Sequence, residues 1–164
     1  MLVMFLAACL SLTACANQHD KCLVIRQHPS QHELQSYPLG DHREFALTFI
    51  HSVSKTPVRD EYRIDSDKII QTAEIFEAHG AGLPSDTQDA GAISWESRDD
   101  RFVLHLQRPI PQLVVRTDRN YHNHLLLADN EINLCHWDDQ ALELSIESCD
   151  RFDREAINTK GLRR

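Results

Sequence analysis

The sequence predicts an all-β fold, a single-domain antiparallel β-sandwich or partly open barrel of about nine short strands. Three observations carry that expectation. Apolar and polar residues alternate with a period of two through many short segments. Turn residues separate those segments at roughly 8–12-residue spacing. Helical periodicity is almost absent. The length of 164 residues suits one domain.

The elements follow in chain order. Residues 21–27 form an apolar run around Val24 and Ile25. Residues 33–37 are a short piece ended by Pro38 and the turn Leu39-Gly40-Asp41. Residues 44–51 place Phe45, Leu47, Phe49 and His51 on one face, with Glu44, Ala46, Thr48 and Ile50 on the other. Val58, Tyr62 and Ile64 alternate with Arg59, Glu61, Arg63 and Asp65, a half-buried strand with a charged outer face. Ser66-Asp67-Lys68 turns the chain into a strand from Ile69 to about Glu77. Residues 68–78 carry a competing helical signal, two alanines and no β-breaker. Residues 84–100 read as a long loop. Residues 101–107 send Phe102, Leu104 and Leu106 inward, opposite Val103 and His105. Residues 112–116, 124–127, 132–134 and 142–146 complete the set, with Asp129-Asn130-Glu131 as a hairpin tip. The all-β domain is thus expected at 21–149, followed by a mobile tail at 150–164.

Composition narrows the function classes. Hydrophobic residues at 41% and charged residues at 26% describe a soluble globular chain. With 17 Lys plus Arg against 25 Asp plus Glu, the formal net charge is −8. An extended nucleic-acid surface needs clustered positive charge, so no nucleic-acid partner is expected.

Residues 1–16 contain no charge and are too short for a membrane span, which takes about 20 residues. They fit a signal-peptide apolar region ending in small residues. Leu12-Thr13-Ala14-Cys15 resembles a bacterial lipobox, although no Lys or Arg precedes the apolar run. Residues 1–15 are accordingly read as a signal peptide with a lipobox, and Cys15 as the site of a lipid anchor to a membrane. An uncleaved anchor and a plain secretory signal are the alternatives. All three place the domain in the cell envelope, on the periplasmic side. Cys22, Cys135 and Cys149 then permit one disulfide and one thiol. Pairing of Cys135 or of Cys22 with Cys149 is equally allowed. The absence of a C-x-x-C spacing argues against redox catalysis.

Two segments carry a family resemblance: His51-Ser52-Val53-Ser54-Lys55-Thr56-Pro57-Val58 and Gly80-Ala81-Gly82-Leu83-Pro84. With Cys22-Leu23-Val24-Ile25, a late strand bearing Arg116 and a hairpin with His124, they resemble the bacterial domain of unknown function 1850 family. The resemblance runs over about residues 21–147. His79 departs from it, standing where the family more often has an aromatic residue. It implies a small exported protein, with genes often beside tripartite (TRAP-type) periplasmic transporters. An accessory role in solute uptake, with transporter subunits as partners, follows as an expectation.

The same residues suggest chemistry of their own. Gly80 and Gly82 adopt positive φ at little cost, so backbone N–H groups of that loop can converge on an anion. Lys55, Thr56, Arg116, His51 and His124, with Ser52 and Ala81, complete a candidate cup for a small carboxylate ligand. The plainer reading makes both segments ordinary turns. Glu74 faces solvent, or else falls on an apolar face and pairs there with Lys55 or Arg116. A periplasmic hydrolase is the runner-up function, but strand neighbours such as His51 and Ser52 point to opposite faces. A metal enzyme would draw on His122 and His124, two apart on one strand face, with Cys135 or His136. A purely structural envelope protein is the third reading. No cofactor is expected.

Overall fold

The computed structural model describes residues 21–77, 90–98 and 101–149. Eleven strands appear among them: β1 (Lys21–Gln27), β2 (His32–Pro38), β3 (Glu44–Ile50), β4 (Pro57–Asp65), β5 (Lys68–Phe76), β6 (Ala92–Arg98), β7 (Arg101–Ile110), β8 (Leu113–Arg116), β9 (His124–Leu127), β10 (Asn130–Asn133) and β11 (Ala141–Ser148). They build a four-stranded sheet, β2-β1-β11-β8, and a seven-stranded sheet, β10-β9-β3-β4-β5-β7-β6. Every strand pair is antiparallel. Among the described residues the two sheets form a sandwich and close no barrel.

Alternation sets the faces. Leu23 and Ile25 of β1, Leu142, Leu144 and Ile146 of β11, and Leu113 of β8 pack on Phe45, Leu47, Tyr62, Ile64, Ile69, Leu125 and Leu127 of the larger sheet. Burying such side chains contributes about 1.5–3 kcal/mol each, enough to fix the register. A second apolar cluster joins β5, β6 and β7, where Phe76, Trp95 and Phe102 meet at centroid distances of 5.6 to 5.7 Å.

Several expectations are corrected. The stretch read as a long loop contains β6, which brings the described strands to eleven. A bulge between Ala92 and Ser94 throws Ile93 outward, so the alternation that marks a strand is broken. The helical signal of residues 68–78 loses to pairing, because β5 has β4 on one side and β7 on the other. Strand β7 continues through Pro109 because β6 pairs only up to Leu106, leaving the proline on a single-sided edge. Of the two disulfides open in the sequence, Cys22–Cys149 forms, with Cα atoms 5.3 Å apart, and Cys135 is free. The signal region, Cys15 and the tail lie outside the described residues.

Candidate functional site

The turn between β3 and β4 holds itself together. The His51 amide donates to the Thr56 carbonyl at 2.9 Å, and the Lys55 amide to the His51 carbonyl at 3.0 Å. Nδ1 of His51 accepts from the amides of Val53 at 3.3 Å and Ser54 at 3.1 Å. An accepting Nδ1 places the proton of the neutral ring on Nε2. The Ser54 hydroxyl sits 3.1 Å from the same nitrogen and 2.8 Å from the Thr56 hydroxyl. His51 is thus a brace for the turn. Ser52 is exposed and outside this network, so the pair forms no nucleophile–base dyad.

Beside the turn lies a groove of about 350 Å³ whose lining includes Ile50, Pro57, Arg59, Ile75, Glu77, Arg101, His122 and His124. Register explains the assembly. Thr48 stands opposite both Arg59 and His124, Ile50 opposite Pro57, and Arg59 opposite Ile75. These positions share the outer face of the seven-stranded sheet, at the end where the turn projects. Glu77 pairs with Arg101 at 3.6 Å, and Arg59 with Glu61 at 2.9 Å. His124 donates from Nδ1 to the His122 carbonyl at 2.8 Å. Lys55 places its Nζ 5.1 Å from the centroid of Tyr121, the neighbour of groove-lining His122.

The structure therefore brings the braced turn and His124 to one groove, while Lys55, outside its lining, lies over Tyr121. Arg116 goes elsewhere: its guanidinium is exposed and pairs with Asp139 at 3.2 Å. Gly80, Ala81 and Gly82 lie outside the described residues. Phe76 pairs with Val58, so the chain leaves β5 at the sheet end that carries the turn. His122 is not on a strand. It caps a one-turn 3₁₀ helix, Arg119–Tyr121, in the left-handed region at φ 49, so it shares no strand face with His124. Among the described residues, no group of three or more His, Cys, Asp or Glu side chains is placed to hold a metal ion.

Sequence reasoning missed Asp60. In β4 it has the same parity as Val58, Tyr62 and Ile64, and it stands opposite Leu47 on β3 and Glu74 on β5. Glu74 therefore shares the interior face with Asp60, and the reading that turned it toward solvent is corrected. Tyr62 donates to Oδ2 of Asp60 at 3.4 Å and Gln71 to Oδ1 at 3.3 Å. Arg108 holds Gln71 at 3.2 Å, one residue removed from the carboxylate. Burial raises the Asp60 carboxyl to about 6, with Tyr62, Arg108 and Gln71 opposing that rise. Burial likewise raises the Tyr62 hydroxyl, helped by the negative charge of Asp60 beside it. The parity of Asp60 was the available signal.

These features define a small two-sheet β-sandwich with one concave site at a sheet end and another between the sheets. The chain belongs to the family described as a domain of unknown function (DUF1850), whose model matches residues 45–134. That span holds essentially all of the seven-stranded sheet, the braced turn and the groove, but of the smaller sheet only β8. It is narrower than the stretch over which the motif resemblance runs. No curated protein and no solved structure matches the chain.

Proposed function

We propose that this protein is an exported, non-enzymatic binding or accessory protein of the cell envelope, taking a small carboxylate in the groove beside the β3–β4 turn. One observation carries the reading. On a chain of net charge −8, Arg59, Arg101, His122 and His124 converge on a groove with Ile50 and Ile75 in its lining. Such a site suits an anionic head on a short apolar body, because desolvation strengthens charge-assisted hydrogen bonds. Lys55, over the Tyr121 ring next to groove-lining His122, would draw the anion in.

The setting we propose is tripartite, TRAP-type solute uptake, with a lipid anchor at Cys15 holding the domain to a membrane. The signal-like residues 1–15 support export, and the Cys22–Cys149 bond suits an oxidising compartment. Titration with butyrate and benzoate, followed by calorimetry, tests the ligand. Lys55→Glu and Arg101→Glu should each weaken binding at least tenfold. Lys55→Glu should cost no more than about 1 kcal/mol of stability, the scale of its contact with Tyr121. Undiminished binding in both variants overturns the groove assignment. Crosslinking in membranes to transporter subunits tests the setting, and mass spectrometry of the mature amino terminus tests the anchor.

A further inference from the structure

A second cavity, of about 260 Å³, opens between the sheets on the other face of β3 and β4. Leu47, Phe49, Asp60 and Tyr62 form one wall, and Leu113 to Arg116 of β8, with Asn123, the other. It opens there because β8 is an edge strand of four residues and the smaller sheet ends with it. Alternation on β8 turns Leu113 and Val115 inward. The Arg116 guanidinium is 74% exposed and occupied with Asp139. The charged group turned into the cleft is thus the Asp60 carboxylate on the opposite wall, beside Leu47, Phe49 and Tyr62.

We propose that this cleft binds a small organic cation, its ammonium group hydrogen-bonded to Asp60 and its apolar body packed against Leu47, Phe49, Leu113 and Val115. A carboxylate accepts about four hydrogen bonds. The two that Asp60 receives, at 3.4 and 3.3 Å, are both long. Arg108 favours its ionised form through space, but its hydrogen bond goes to Gln71 and not to the carboxylate. Glu74 stands opposite Asp60 on the same sheet face. An anion would be repelled there, and the net charge of −8 favours the approach of cations. The volume lies below the roughly 300–1,000 Å³ of sites for drug-sized molecules, so the ligand is small. Only the carboxylate form of Asp60 holds the cation. Tyr62, Glu74, Arg108 and Arg116 are the other titratable or charged groups facing it. Affinity should therefore rise with pH as Asp60 ionises. This site meets the turn-end groove at Thr48 and Phe49 and shares none of its charged groups.

The test is amide NMR of the purified protein titrated with butylammonium. Saturable shifts are expected at Leu47, Leu113 and Val115, with affinity falling about tenfold from pH 7.5 to pH 5 as the carboxyl protonates. Asp60→Asn, close to isosteric, should weaken binding at least tenfold, and butyrate and butanol should leave those amides unmoved. Absence of saturable shifts at pH 7.5 overturns the proposal, as does equal binding by Asp60→Asn or by butanol. The pH dependence of the native protein decides the matter independently of whether the variant folds.

Discussion

At the scale of single residues, Asp60 stands out because it costs the fold stability. Its folded carboxyl titrates near 6 against an ordinary 3.8, chiefly because burial disfavours the charge. Between those two values the native state holds more protons than the unfolded chain. Stability is therefore full below about pH 4 and declines as pH rises through 6. A shift of about two pKa units corresponds to roughly 3 kcal/mol as an upper figure, since the side chain is only half-buried and solvent screens part of the cost. Asp60→Asn should accordingly raise stability at pH 7.5 by about 1–3 kcal/mol and flatten that decline. Urea unfolding of both proteins from pH 4 to 8 measures it, and an unchanged slope would show that Asp60 is not the group responsible.

At the scale of elements, β6 shows how a strand hides from sequence inspection. It is an edge strand, paired only with β7, and its bulge breaks the alternation of Ile93 and Trp95. Gly91 makes its entry feasible. The residue sits at φ +81, and an added Cβ would meet the Arg108 Cα and Cβ and the Gln107 carbonyl oxygen, each at 3.1 Å. The Gly91 carbonyl accepts from the Gln107 amide at 2.8 Å, tying the strand's start to β7. Gly91→Ala should cost about 1–3 kcal/mol through backbone strain and crowding. Hydrogen exchange should speed up first at β6 and at the facing amides of β7. Unchanged protection there would mean that the strand is held by Trp95 packing alone.

At the scale of the whole molecule, the Cys22–Cys149 bond ties β1 to β11, the two central strands of the smaller sheet, across a separation of 127 residues. Closing so long a loop removes much unfolded-state entropy, and loss of such bonds typically costs about 2–4 kcal/mol. The double variant Cys22→Ala, Cys149→Ala should lower the unfolding free energy measured in urea by that amount while keeping the fold, because seven register pairs between β1 and β11 remain. A loss below about 0.5 kcal/mol would assign the pairing to the strands alone. Much of the architecture was legible in the chain itself. Period-two alternation at Phe45, Leu47 and Phe49 or at Leu142, Leu144 and Ile146 names the buried face, because successive side chains on a strand point to opposite sides. The motif around His51 and Lys55 likewise marked the turn and the family. What alternation leaves open is which strands become neighbours. Strand order set the outcome in three places: His124 came beside Thr48, Arg116 was carried away from Lys55, and Asp60 was enclosed opposite β8. Each depends on pairing between segments far apart in the chain. Hydrophobic burial is non-directional, so such pairing follows from the packing of both sheets together.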